Sequence, residues 1–326
     1  MHRRGIQICK ARIGLQSNNK ALITKSEYFA DRVQQSLLTD YHRIDEIPWS
    51  ADLDAQVVVA DLPEVAGSIT RMAGQVLAVG DFTAFEQQVL DRRFTLFGNL
   101  GLLYRYVVHV LEAVHGIHTF HASAMVDEDR GEFWLIPGPA GAGKTVFLLS
   151  GISRGWTIFS TEMTHLRVTA EGYEFYKGSL FDNIRVGNLL HGFPHVPQKL
   201  GIVLPEVQDV WGTKIAIDFA AVQTTEDVAK SPPVRIIHPK VEQGRDRPRV
   251  TRLHPNERLV KLLFDNATEK HGQTVLLYER IPLPPLDTPT LMWQRLRAIQ
   301  AFVASAEIRS AQATVCSPHN CMEGIG

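Results

Sequence analysis

The chain has 326 residues, 44% hydrophobic and 21% charged, with a formal net charge of −1. That length holds a sizeable core and about two structural units, and the near-neutral balance removes the electrostatic case for nucleic acid or an anionic membrane as partner. Three cysteines, Cys9, Cys316 and Cys321, are too few for a disulfide framework, and MHRRGIQICKARIGLQ has no apolar leader core, so a cytoplasmic protein is expected.

In chain order, residues 1–90 read as a mixed region. SEYFADRVQQSLL has a helical pattern, AQVVVADLP (55–63) reads as a buried strand ended by proline, and QVLAVG (75–80) as a second strand with DFTAFEQQVL leading away. A long helix is predicted over about residues 91–115, where Leu96, Leu100, Leu103, Val107, Val110 and Val114 recur at three- and four-residue steps. Gly98 and Gly101 weaken its start. Arg105, His109 and Glu112 inside the apolar run from Phe94 to Val114 mark a buried amphipathic helix rather than a membrane span.

IHTFHASAMVDEDRGEFWLIPG alternates and turns at DEDRG, which predicts two strands joined by a tight acidic turn. A helix (TVFLLSGISRG), a strand (WTIFST) and a hairpin (THLRVTAEGYEFYK, turning at AEG) follow. LVKLLFDNA (259–267) and LMWQRLRAIQAFVAS (291–305) read as helices, with Pro255 near the opening turn of the first. IPLPPLDTP (281–289) reads as a connector. The expected division is a divergent N-terminal region (1–90), a nucleotide-binding domain (91–280), a connector and helix (281–310) and a flexible tail (311–326). In that tail CSPHNC offers Cys316, His319 and Cys321 as a metal set, against which stands its place in a short polar segment.

GPAGAGKT, residues 138–145, matches G-x-x-x-x-G-K-[ST] at Gly138, Gly143, Lys144 and Thr145, with Pro139, Ala140, Gly141 and Ala142 between. Glycines let main-chain amides turn inward as an anion nest, and the next helix adds its positive dipole end. Lys144 is expected to reach the outer phosphates of ATP, and the Thr145 hydroxyl to ligate Mg²⁺. The plainer alternative is a glycine-rich strand–helix turn with an incidental lysine. The apolar strand before the loop and the helical pattern after it favour phosphate binding. For the acidic metal partner, GIVLPEV places Pro205 before Glu206, which does not suit a central strand. Glu162, eighteen residues after Lys144 at the end of the next strand, fits better.

FHASAMV (120–126), GPAGAGKT, SRGWTIFSTE (153–162) and SLFDNIRVGNL (179–189) together resemble the HPr kinase/phosphorylase class, relatives of the phosphoenolpyruvate carboxykinases. VRIIHPKVEQGRDRPRVTRLHPNERLVKLLFDNA (234–267) looks like the closing part of that class's shorter relatives. The resemblance covers about residues 117–267 and implies an α/β fold, a P-loop HPr kinase-like mixed sheet flanked by helices, beside a smaller N-terminal α+β region. It implies an ATP-dependent kinase acting on a serine-like hydroxyl of a small metabolite or peptide, and it allows a homo-oligomer.

On that reading Thr145 and Glu162 hold the metal, and His121 stands on the strand beside the nucleotide. Asp182 and Arg185 touch metal or phosphate, and the loop bearing Lys240, Arg245, Arg247 and Arg249 folds over the triphosphate. Each has a plain alternative: a core histidine, a surface salt bridge and a solvated charge run. One departure stands out. Thr161 occupies the place of the family's catalytic aspartate, and a general base is worth about 10²–10⁴ in rate. His121, His165 and Asp182 are the substitute candidates. The missing base also suits a nucleotide-binding regulatory module or an NTPase without an acceptor.

Overall fold

Apolar residues at every second position make two strands at the start of the chain, β1 (His2–Ile8) and β2 (Ala11–Ser17). They pair as an antiparallel hairpin with Ile6 opposite Ile13, both fully buried. A computed structural model of the chain describes residues 1–25, 29, 43–50, 52–272 and 275–325. Of the helical segment expected at SEYFADRVQQSLL, all but Phe29 lies outside the described residues. The protein is mixed α/β, and its internal contacts divide it into one unit of Met1–His118 with Glu269–Trp293 and a second of Thr119–Thr268 with Gln294–Gly326.

The first unit continues with helix α1 (Lys20–Thr24), β3 (Ile44–Ile47), β4 (Ala55–Asp61), β5 (Ser68–Met72), β6 (Gln75–Gly80) and helix α2 (Phe82–Gln88). Its sheet has the order β3-β1-β2-β4-β6-β5, with β2, β4 and β6 parallel. The long helix, α3, spans Leu102–His115 rather than 91–115. A side chain on Gly101 would meet the Thr95 carbonyl, and one on Gly98 the carbonyls of Arg92 and Arg93, so the preceding segment folds onto itself as turns. Gly116, at φ 62°, ends the helix in the left-handed region.

The second unit is built on β8 (Ala122–Asp127), β9 (Glu132–Pro137), helix α4 (Lys144–Ser153), β10 (Thr157–Ser160), β16 (Val234–Val241), β17 (Arg249–Arg252) and β20 (Ile308–Cys316). The sheet order is β10-β8-β9-β16-β20-β17, and β9, β16 and β20 run parallel. Successive residues of β9 serve opposite faces. Trp134 and Ile136 join Phe147 and Leu148 of α4, whereas Phe133 and Leu135 join Leu259, Leu263, Ile299 and Phe302 from helices α6 (Glu257–Gly272) and α7 (Pro289–Ser305). Trp134 is thus a core residue. β7 (Ile117–Phe120), β11 (Thr164–Thr169), β12 (Gly172–Lys177) and β15 (Val228–Lys230) form a further sheet in the order β15-β12-β11-β7. β13 (Phe181–Arg185) pairs with β14 (Lys214–Asp218), and a short helix, α5, spans His195–Leu200. In the first unit β18 (Leu276–Leu277) pairs with β19 (Ile281–Pro282).

Two expectations change. Residues 311–326 are not a flexible tail: β20 lies between β16 and β17, and Cys316, Cys321 and Met322 are buried in the core around α4. The first unit also extends to His118 and takes back 269–293, which the sequence assigned to the nucleotide-binding domain and the connector. No helix among the described residues is long and apolar enough to cross a membrane.

Candidate functional site

The directions of the strands bring the singled-out residues to one edge of the second sheet. The carboxyl ends of β9, β16 and β20 lie together because these strands are parallel. The start of β8 joins them, with Ala122 opposite Pro137, and so does the end of β10, which is antiparallel to β8. Ligands of open α/β sheets sit outside such carboxyl ends.

The 138–145 loop occupies this edge. The Gly138 amide donates to the His121 carbonyl at 3.2 Å, and the Val241 amide to the Ala142 carbonyl at 3.0 Å, so the end of β16 is laced to the loop. Gly141 has φ 81° and Gly143 φ 103°, and a Cβ on Gly143 would come within 2.2 Å of the Val241 side chain. Only glycine fits there. The amides of Ala140, Gly141, Gly143 and Thr145 have no acceptor among the described residues. They precede or open α4, whose N-cap, Gly143, makes no side-chain capping bond. Unsatisfied amides at a helix N-terminus attract anions.

Lys144 is buried, and its ammonium donates to the Gly138 carbonyl at 2.9 Å and lies 2.9 Å from His121 Nε2. The Pro139 carbonyl is 3.4 Å away and Glu162 Oε2 3.7 Å. Glu162 Oε2 also meets His121 Nε2 at 2.9 Å. One ring nitrogen cannot donate to a carboxylate and accept from an ammonium at once. The three groups therefore compete for one proton position, a conflict that ends when Lys144 moves to another anion. Glu162 is the member open to solvent, its side chain 31% exposed against 4% for His121 and 6% for Lys144.

The Thr145 hydroxyl donates to Asp182 Oδ2 at 2.6 Å. Burial, then the charge of Glu162, raises the Asp182 pKa to about 7, against the opposing pull of Thr145, Lys144 and the Asn183 amide. The hydroxyl thus meets Asp182 directly, whereas Glu162 faces Lys144 and His121. Two carboxylates and a hydroxyl are the hard oxygen donors that Mg²⁺ takes, and a cation there would oppose the burial and the Glu162 charge that raise the Asp182 pKa.

Thr161 is fully buried and structural. Its hydroxyl lies 2.8 Å from the Ser179 hydroxyl and donates to the Phe181 carbonyl at 2.5 Å, and its carbonyl accepts from Ser123. Ser179 also accepts from the Glu162 amide at 3.0 Å. These bonds tie segment 179–181 to the end of β10 and deliver Asp182 beside Thr145. Ser179 escaped sequence reasoning, although it opens SLFDNIRV.

Other candidates fall elsewhere. His165 is fully buried, its Nδ1 2.9 Å from the Thr119 hydroxyl, and burial lowers its pKa to about 4. It is a neutral core histidine and not a base for an external acceptor. Arg185 donates to the Trp211 carbonyl and belongs to the β13–β14 hairpin rather than to the loop. Lys240 and Arg245 share Glu242, at 2.7 and 2.8 Å, in an ion-pair group next to Val241 and hence beside the loop. Cys316 and Cys321 are buried thiols, and His319 is exposed. Burial pushes both thiols upward, Cys316 to about 12, which disfavours the thiolate a metal needs.

Asn266, on α6, was missed. Its amide donates to the His121 carbonyl at 2.9 Å, while Oδ1 is buried without a partner among the described residues. A polar residue beside the apolar stripe of Leu259, Leu263 and Ala267 was the available signal. No protein-family model matches the chain, and no curated protein matches it.

Proposed function

We propose that the 138–145 loop binds the triphosphate of Mg²⁺-ATP and that the chain transfers the γ-phosphoryl group to a hydroxyl of a small metabolite or peptide, on a P-loop fold of the HPr kinase type. One observation carries the reading. Four main-chain amides without acceptors among the described residues precede or open a helix whose first residue is a buried lysine.

Thr145, Asp182 and Glu162 would hold Mg²⁺, which when bound neutralises charge on the phosphate oxygens. The amides of the nest take the same oxygens by hydrogen bonding. Lys144 exchanges its contact with His121 for the incoming phosphate, which leaves Nε2 to Glu162 alone. The acceptor hydroxyl then has Glu162 Oε2, hydrogen-bonded to His121, to receive its proton, while the other oxygen of Glu162 is the one that would face the ion. Transfer through a loose transition state asks little of a base and much of positioning. Lys240, its side chain 68% exposed and ion-paired with Glu242, would be released to close over a polyanion.

A second reading, a nucleotide-responsive module without transfer, is favoured by the engagement of Thr161 in internal hydrogen bonds. One experiment separates the two. The chain is incubated with Mg²⁺-ATP and pools of hydroxyl metabolites and peptides, and both ATP consumption and phosphorylated products are followed by mass spectrometry. Acceptor-dependent consumption supports the kinase. Binding without consumption supports the module, and consumption indifferent to every acceptor leaves a bare NTPase.

A further inference from the structure

Helix α3 carries three polar residues in an apolar run, Arg105, His109 and Glu112, spaced four and three residues apart and hence on one face. All three are buried, and buried charge requires a partner. Arg105 donates to the Lys270 carbonyl at 2.8 Å. His109 Nε2 lies 3.1 Å from the Arg71 guanidinium, which also donates to the Leu286 carbonyl. Glu112 Oε1 is 2.8 Å from His118 Nδ1, and Oε2 is 3.4 Å from His271 Nε2. Asp287 adds a second carboxylate, and one donor atom each from Glu112, His271 and Asp287 lie within 4.8 Å of one another.

The Glu112–His271 separation is informative. At 3.4 Å it exceeds the range of a good N–H···O bond. Two ligands each about 2.0–2.1 Å from one tetrahedral zinc ion stand roughly 3.3–3.4 Å apart. His118, on the other oxygen of Glu112, takes the place of the outer partner that orients a ligating carboxylate. Two carboxylates balance a divalent charge, and the imidazole favours a first-row transition ion over Mg²⁺ or Ca²⁺. Arg71 is engaged by His109 and the Leu286 carbonyl, and the side chains of His271 and Glu112 are only 4% and 1% exposed, which leaves the partly buried Asp287 as the outermost member of the group.

We infer that Glu112, His271 and Asp287 form a binding site for one divalent transition-metal ion of the zinc class, with His118 as the positioning residue. Three protein ligands leave a fourth position for water or a small anion. The ion ties α3, the end of α6 and the segment before α7, three stretches of the first unit distant in sequence.

The test uses the full chain, stripped with a chelator and free of nucleotide. It is titrated with Zn²⁺ by calorimetry and with Co²⁺ by visible absorbance, and melting is followed with and without Zn²⁺. The parent should bind one equivalent, show the cobalt absorption of a low-coordinate site and melt at a higher temperature with zinc. Asp287→Asn, at a partly exposed position, should keep its circular dichroism and lose affinity at least about tenfold, and His118→Gln about 10–100-fold. A Cys316→Ser, Cys321→Ser double variant should keep the full equivalent. A parent that binds no zinc, an equivalent that survives unweakened in Asp287→Asn, or an equivalent lost with the two thiols would each overturn the site. Should Glu112→Gln fail to fold, Asp287→Asn and the parent's cobalt spectrum still decide the matter.

Discussion

Asp182 in the second unit and Glu112 in the first are both buried acids, yet their surroundings differ in kind. Asp182 meets a hydroxyl and the charge of a second carboxylate, with the flexible ammonium of Lys144 offsetting part of it, and its pKa rises to about 7. Glu112 is flanked by two imidazoles, at 2.8 and 3.4 Å. A lysine on a long stem can be lent to an arriving polyanion. Rigid rings instead hold their carboxylate still, as a small cation requires. The first arrangement suits a substrate that comes and goes, the second a resident ion.

Lys144→Ala breaks the comparison most severely. It removes the ammonium that competes with Glu162 at His121, and turnover should fall by at least about 10²-fold, with weaker Mg²⁺-ATP binding by calorimetry and an unchanged circular dichroism spectrum. Unaltered nucleotide affinity and turnover would dismiss the loop as the site.

Asp182→Asn sharpens it next. The folded pKa of Asp182 lies above its ordinary 3.8, so between about pH 4 and pH 7 the folded chain holds a proton that the unfolded chain has lost. Stability from this group is full below that window and declines as pH rises through about 7. Asparagine removes the decline, so at pH 8 the variant should resist urea better than the parent by a few kcal/mol, at about 1.4 kcal/mol per pH unit, while losing its response to Mg²⁺. In the parent, Mg²⁺ affinity should rise from pH 6 to 8 with proton release. A pH-independent stability difference between the two would place the Asp182 titration elsewhere.

Thr161→Val should leave nucleotide binding in place but cost about 1–3 kcal/mol in denaturant melts, because the Ser179 hydroxyl and Phe181 carbonyl lose a buried partner. A large loss of turnover at parental stability would instead give Thr161 a chemical role. The smallest effect is expected at Arg185→Ala, within about 0.5 kcal/mol in stability and without change in turnover. A strong loss of turnover there would return Arg185 to the site.

Much of the second unit was legible because its signals are local. GEFWLIP, the glycine loop and TVFLLSGISRG each specify a short piece of backbone, and they stand as β9, the loop and α4. QVLAVG forms the strand expected of it, and LMWQRLRAIQAFVAS lies inside α7. Where reading failed, the cause was partnership at a distance. IRSAQATVC carries small and polar residues and becomes β20 only between β16 and β17. β1 and β2 carry Arg3, Gln7, Arg12 and Gln16 on one face, and their buried isoleucines count as strand signals only once the sheet is formed.

The same division holds within the site. The sequence by itself determined the loop, since positive φ at Gly141 and Gly143 and a lysine opening α4 are properties of adjacent residues. Only the tertiary structure decided which acid meets Thr145, which groups surround Lys144, and that Asn266 reaches the His121 carbonyl. Backbone geometry is set by neighbours along the chain, whereas side-chain proximity is set by strand register and helix packing between segments far apart in it.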